Sequence, residues 1–303
     1  MQTDSTRSLV SVIIPTIGRE SLVEAVASVA AQTYRPVEVI VVYDAPDAVP
    51  DEANLRAAAG DCSLVLHRHK ERKGGAGARN TGIGLAQGAY VGFLDDDDIY
   101  YPSKLETLVH ALEQSPDIDA AFGKMRSFDG VRHSTRLAYP AIFSRKTNLL
   151  VMNYIHNNAS LVRASVLSSL KFYEPLARFQ DLQFNAELSY RFKVRFVDEF
   201  VAEWRNDVRS DRTTHTGGME KKKRDASTFR DVLEYLQNVV GVQRSWLVFF
   251  QLYLFRQHLA LGNFGEALAL LLRKDSFLWR PVALLEAIRI RKRMWRGPRA
   301  NQA

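Results

Sequence analysis

The sequence predicts an α/β domain with a mostly parallel central sheet, followed by an all-helical C-terminal extension. Three observations carry that reading. Near-continuous apolar runs, Val10-Ser11-Val12-Ile13-Ile14-Pro15 and Val37-Glu38-Val39-Ile40-Val41-Val42-Tyr43, read as strands covered on both faces. Segments with apolar residues at helical spacing alternate with these runs, as in a parallel sheet linked by helices. From Asp225 onward only the helical pattern remains.

The elements follow in order. After the first strand, Ser21-Leu22-Val23-Glu24 reads as a capping box, with Leu22, Val23, Val26 and Val29 at helical spacing. The second strand ends at Asp44. Ser63 to His67 reads as a third strand. Gly74-Gly75-Ala76-Gly77 opens a small-residue helix through Ala86, and Tyr90-Val91-Gly92-Phe93-Leu94 is a short buried strand. Ser103-Lys104-Leu105-Glu106 is a second capping box, and Leu105, Leu108, Val109 and Leu112 give its helix one apolar face.

Composition bounds the class. The 303 residues are 46% hydrophobic and 25% charged, enough for a large globular core. The net charge of +7 favours acidic partners such as nucleotides, anionic lipids or nucleic acid. The single Cys62 excludes an intramolecular disulfide framework and a Cys-rich zinc site. Met1 to Ser8 is polar, without the apolar core of a signal peptide. The apolar run from Trp246 to Phe255, interrupted by Gln251, is too short for a spanning helix of roughly 20 residues. The expectation is a soluble or peripheral cytoplasmic protein.

The short strand leads into Asp95-Asp96-Asp97-Asp98. Where the chain stays extended, Asp95 and Asp97 face one way and Asp96 and Asp98 the other. Four neighbouring carboxylates repel one another unless a cation or basic side chains neutralise them. Two on one side suit a hard divalent ion, Mg²⁺ or Mn²⁺, that shares its ligands with a phosphate; the bland alternative is a solvated acidic turn. Parallel sheets bind ligands beyond the carboxyl ends of strands, where Asp44 and the Asp run both lie. The glycine segment lacks the Gly-Lys-Ser/Thr ending of a P-loop and does not continue into G-x-G-x-x-G. A P-loop NTPase and a dehydrogenase are therefore set aside.

Together these motifs resemble glycosyltransferase family 2, which has the GT-A fold. The matching residues are Val12-Ile13-Ile14-Pro15-Thr16 with Arg19, Gln32-Thr33-Tyr34, Glu38 to Val42 with Asp44, Ala78-Arg79-Asn80-Thr81-Gly82, Leu94 to Asp98, and Gln180-Asp181-Leu182-Gln183-Phe184. The likeness covers roughly Ser8 to His215. It implies an inverting enzyme that uses a sugar nucleotide and Mn²⁺ or Mg²⁺. It gives metal contact to Asp97, with Asp95 beside it on the nucleotide side as the rest of an Asp-x-Asp motif. Pro15, Thr16, Arg19, Arg79 and Asp96 fall with the nucleotide-sugar pocket, and Asp44 with the base. Arg79 has a second reading, an ion pair to Asp96 or Asp98, and Asn80 one as a brace of its turn. Asp181 takes the general base role; its other reading is a carboxylate favoured at a helix N-terminus. His215 closes over the diphosphate, joins the metal shell, or sits in a flexible, solvated loop.

Departures from the family pattern are Tyr43-Asp44-Ala45-Pro46 in place of Asp-Asp-Gly-Ser, and Gln180 in place of Glu. The Gln-x-x-Arg-Trp motif of processive synthases is absent, which implies addition of one sugar. His156, read as structural, precedes Asn157 to Val162, read as a strand near the acceptor side. The expected domains are 1–220 for the transferase and 221–303 for the helical extension, with Lys221-Lys222-Lys223-Arg224 as a solvated linker and Leu259 to Leu268 as a helix-turn-helix. The basic helix from Arg273 either binds an anionic membrane surface or packs on the protein.

The expected activity is transfer from a nucleoside diphosphate sugar, UDP first, to a glycan or polyprenyl-linked acceptor in cell-surface polysaccharide synthesis. The alternatives are a metal-dependent nucleotidyltransferase and a non-catalytic sugar-nucleotide-binding subunit. A nucleic-acid partner is not expected, for want of a recognised module.

Overall fold

The computed structural model describes residues 7–136, 156–205, 218–243 and 247–272. Strand β1 (Val10–Thr16) pairs in parallel with β2 (Val37–Tyr43) on one side and with β4 (Tyr90–Phe93) on the other. Strand β3 (Ser63–Arg68) extends the β2 side, also in parallel. The chain therefore winds outward from β1 to β3 and returns to β4 across β1. The winding reverses between β1 and β4, and open α/β sheets bind ligands outside such a reversal.

The sheet continues with β5 (Ile99–Tyr100), β6 (Ala120–Phe128), β7 (His133–Arg136), β8 (Ser160–Arg163) and β9 (Val194–Arg205). Its order is β3-β2-β1-β4-β8-β6-β9-β5, with β7 on β6. Strand β8 is antiparallel to both β4 and β6, so the parallel half is closed by an antiparallel strand.

Alternation along the strands sends side chains to both faces. Val10, Val12, Ile14, Val39 and Val41 pack under α1 (Leu22–Ala30), α2 (Glu52–Ala59) and α4 (Lys104–Glu113). Ile13, Ile40, Val42 and Phe93 pack under α3 (Gly74–Leu85) and α5 (Gln180–Arg191). Glycine brings α3 close to the sheet: a Cβ on Gly82 would lie 2.3 Å from Ile13 Cγ2, whereas one on Gly84 would meet nothing within 4 Å. We expect Gly82→Ala to cost about 1–3 kcal/mol by overpacking. Gly84→Ala should be neutral or stabilising by up to about 1 kcal/mol. Urea unfolding of the two variants checks the contrast.

Helices α1 and α4 begin where the sequence places them, but neither capping box forms. Ser21 (φ −62°, ψ −18°) and Ser103 (φ −87°, ψ −2°) make no side-chain cap bond. Both backbones are already helical, whereas a capping side chain needs an extended backbone. Glu24 instead pairs with Arg205, and Glu106 with Arg7 at 2.5 Å. Residues Asn157–Ala159 form a 3₁₀ turn rather than strand, and β8 starts only at Ser160. The turn is stabilised by His156 Nδ1, which accepts from the Asn158 N–H at 3.3 Å.

These elements belong to one compact unit; α6 (Met219–Asn238), α7 (Val248–Ala260) and α8 (Phe264–Leu272) belong to a second. Phe229, Val232, Leu233 and Leu236 form the buried stripe of α6, and Phe229 stacks on Tyr253 at 3.9 Å. Gly262 at φ +75° turns the chain between α7 and α8, the conformation glycine adopts most readily. Lys221 to Arg224 are not a linker but the first turns of α6. Cations there oppose the helix dipole, so local sequence argued against a helix. The buried stripe downstream holds it, with a Lys223–Glu220 pair at 3.0 Å. No helix among the described residues is long and apolar enough to cross a membrane.

Candidate active site

The four carboxylates lie on a turn at the end of β4, not on an extended stretch. The Asp98 N–H donates to the Asp95 carbonyl at 3.1 Å. Burial nevertheless alternates: Asp96 and Asp98 are 2% and 1% exposed, while Asp95 and Asp97 are half-buried.

The buried pair anchors the turn. Asp96 accepts from Thr16 Oγ1 and Arg19 Nη1, each at 2.6 Å, and so ties the end of β4 to the end of β1. Burial raises the Asp96 pKa above the ordinary carboxylate value, against the opposing pull of Thr16 and Arg19. Asp98 accepts from Asn158 Nδ2 at 2.5 Å and from the Arg205 N–H at 2.9 Å. Asn158 Oδ1 in turn accepts the Asp95 N–H at 3.1 Å, so one side chain braces both ends of the turn. Asn158 is itself held through its carbonyl by Lys104 Nζ at 2.6 Å. Lys104 is fully buried with its ammonium 3.3 Å from the centre of the Tyr100 ring, and burial drives its pKa well below that of an ordinary lysine.

The outward pair meets two arginines. Arg79 Nη2 donates to Asp95 Oδ1 at 2.5 Å, and Arg19 Nη1 lies 4.0 Å from Asp97 Oδ2. The ion-pair reading of Arg79 named the wrong carboxylates, Asp96 and Asp98. Those two are buried and bonded to other donors, and Asp95 faces α3. Asn80 braces more than its own turn. Its amide donates to the Phe172 carbonyl at 2.8 Å and to Glu174 at 2.9 Å, and its oxygen accepts the Phe172 N–H at 3.0 Å. Pro15 stands beyond Ile13, the last β1 residue paired with β4, where a missing N–H interrupts no ladder on that side.

Asp44 follows β2 and is nearly buried. It accepts the N–H groups of Lys73 (2.7 Å) and Gly74 (2.8 Å), which open α3, and His69 Nδ1 (2.9 Å). An acidic group at this helix N-terminus satisfies donors that the glycine segment cannot cap itself.

Asp181 lies half-buried in the first turn of α5. The preceding Phe179 has φ 59°, a left-handed conformation unusual for an aromatic residue. A Cβ on Gly75 would lie 3.0 Å from Arg79 Nη1 and 3.2 Å from Gln180 Oε1. The N-termini of α3 and α5 therefore meet beside the Arg79–Asp95 pair. A groove of about 800 Å³ between α4 and β9 includes none of these residues. His215 and the tail from Arg273 lie outside the described residues.

Residues 11–169 fit the profile of Glycosyl transferase family 2. The chain belongs to this family. A family relative, an uncharacterized glycosyltransferase of Rickettsia felis, is 33% identical over 182 residues, which is 57% of the chain but only 30% of that protein. The Escherichia coli enzyme named UDP-Glc:alpha-D-GlcNAc-diphosphoundecaprenol beta-1,3-glucosyltransferase WfaP is 31% identical over 106 residues, 35% of the chain and 41% of that enzyme. Among solved structures, S. aureus TarS 1–349 with UDP-GlcNAc superposes with a TM-score of 0.63 at 18% identity, covering 92% of the chain and 80% of that 1–349 segment. The Pyrobaculum calidifontis mannosyltransferase PcManGT, solved with GDP-Man and Mn²⁺, gives 0.53 at 18% identity over 97% and 89%. The fold is the GT-A fold of family 2 glycosyltransferases.

No cluster of three His, Cys, Asp or Glu side chains suited to a metal occurs among the described residues. A divalent ion bound with a diphosphate needs only one or two protein carboxylates. Asp97 and Asp95, hard oxygen donors on the outward side of a braced turn, fit that requirement. His69, Thr81, Asn158 and Lys104 are absent from the sequence-derived site. His69 follows the end of β3, so the strand-end rule that found Asp44 would have found it too. Nothing in the local sequence singles out Asn158.

Proposed function

We propose that this chain is a metal-dependent, inverting glycosyltransferase that moves one sugar from a nucleoside diphosphate sugar, a UDP-sugar first, to a hydroxyl of a glycan or lipid-linked acceptor. The observation that carries this is the meeting of Thr16, Arg19 and the Asp95–Asp98 turn where the sheet winding reverses. In this reading Pro15, Thr16, Arg19 and Asp96 frame the nucleotide side, Asp44 meets the base, and Arg79 holds Asp95 toward the donor. Asp97 and Asp95 hold the divalent ion, which when bound relieves the charge growing on the departing diphosphate. Asp181 takes the proton from the acceptor hydroxyl. The acceptor oxygen bonds to the anomeric carbon as the bond to the diphosphate breaks, so the configuration inverts.

The UDP donor and lipid-linked acceptor are suggested by the name of WfaP, and Mn²⁺ by the complex of PcManGT. Thermal stabilisation and hydrolysis across a panel of sugar nucleotides with and without Mn²⁺ test the proposal. We expect metal-dependent stabilisation by UDP-sugars. Indifference to every sugar nucleotide would overturn it.

The reading includes attachment to the inner face of an anionic membrane. Nine of the 41 Lys and Arg residues and two of the 34 Asp and Glu residues follow Leu272, which leaves 32 of each sign before it. The whole excess of positive charge thus lies in the tail. Helix α8, just before it, exposes Phe264, Leu268 and Leu272 at four-residue intervals. Apolar surface beside clustered cations binds headgroup interfaces, at roughly 1 kcal/mol per basic residue. Truncation after Asp275 should reduce sedimentation with anionic liposomes, and high salt should have the same effect on the full chain. Equal sedimentation at low salt would leave the tail a structural role.

A further inference from the structure

We infer that His69 is a positioning residue that leaves Asp44 a single open hydrogen-bond acceptor, so that the base pocket takes uracil or thymine in preference to guanine. The inference rests on the reading that Asp44 meets the base. A carboxylate offers about four lone pairs. Oδ1 of Asp44 engages two, with the Lys73 N–H at 2.7 Å and His69 Nδ1 at 2.9 Å; Oδ2 engages one, with the Gly74 N–H at 2.8 Å. One acceptor site remains, on Oδ2. The Asp44 side chain keeps a tenth of its accessible surface, enough for one donor to reach it.

The ring that fills the last site on Oδ1 is fixed on both edges. His69 is 4% exposed, and its Nε2 lies 2.9 Å from Thr81 Oγ1 on α3. With Nδ1–H donating to Asp44, Nε2 meets the Thr81 hydroxyl on the opposite edge of the ring. The imidazole therefore bridges the end of β3 to α3 and cannot turn away to free Oδ1 without losing both bonds.

The bases differ in what they present to such a group. Uracil and thymine offer one imide N–H. Guanine offers a ring N–H and an amino N–H side by side, a pair that matches two carboxylate oxygens. Facing one acceptor, guanine leaves a donor unsatisfied, which should weaken binding by about tenfold or more.

Calorimetry with Mn²⁺ and UDP, GDP or N3-methyl-UDP tests this on the wild type, His69→Leu, His69→Asn and Asp44→Asn. The wild type should bind UDP about tenfold or more tighter than either other probe. His69→Leu should narrow the gap between UDP and GDP and raise the donor KM rather than lower kcat. His69→Asn, whose amide can donate in place of Nδ1, should restore much of the difference. If Asp44→Asn changes nothing and N3-methyl-UDP binds like UDP, the assignment of Asp44 to the base fails and takes the inference with it. If Asp44→Asn weakens UDP but the wild type binds UDP and GDP alike, or His69→Leu preserves the gap, the inference alone is overturned. Circular dichroism reports folding of each variant; should His69→Leu not fold, the three probes on the wild type decide.

Discussion

Asp181→Asn is expected to lower turnover by about 10²-fold or more while donor affinity stays within a factor of about two. The substitution is nearly isosteric and removes only basicity. Asp181 sits in the first turn of α5, where an asparagine is also tolerated, so the helix should persist. The position is beside Arg79, which the proposal sets toward the donor, because the N-termini of α3 and α5 approach each other at Gly75. If Asp181 only serves the helix dipole, the variant loses a few tenths of a kcal/mol of stability and no activity. Steady-state kinetics with calorimetry separates the two, and near-normal turnover would move the base elsewhere.

Asp97→Ala is expected to remove most Mn²⁺-dependent affinity for the nucleoside diphosphate, by about 10²-fold or more, with the fold intact. The contrast with its neighbour makes the test specific. Asp96 is the anchor to Thr16 and Arg19, and its loss strands buried donors on both. Asp96→Ala should therefore cost about 1–3 kcal/mol of stability, with Arg19's partial exposure moderating the loss. Unchanged Mn²⁺-dependent affinity in Asp97→Ala, measured by calorimetry on folded protein, would remove Asp97 from the metal.

Much of this molecule is legible locally. The strands Val10–Thr16 and Val37–Tyr43 are buried along almost their full length, as continuous apolar runs require. Apolar spacing also located α1, α4 and the stripe of α6. The strand-end rule puts Asp44 and the Asp run at one edge of the sheet, and they follow β2 and β4 there. The same local logic failed where a distant partner was stronger. Ser21 and Ser103 lack the extended backbone that their capping boxes need, and Glu24 and Glu106 find arginines far along the chain. Lys221 to Arg224 look like a linker until the stripe around Phe229 is seen to hold them in α6.

By itself, then, the sequence determined β1 to β4, α1, α3 and α4, and which carboxylates stand at the ends of strands, because burial periodicity and turn chemistry are properties of neighbours. The division of labour among those carboxylates was decided by tertiary structure. Only when β1 and β4 lie side by side do Thr16 and Arg19 reach Asp96. Only when Asn158 arrives from 60 residues beyond Asp98 is the turn braced so that Asp95 and Asp97 face outward. Which of four adjacent, chemically identical groups is buried depends on donors brought in from elsewhere in the chain, and a sequence window does not contain them.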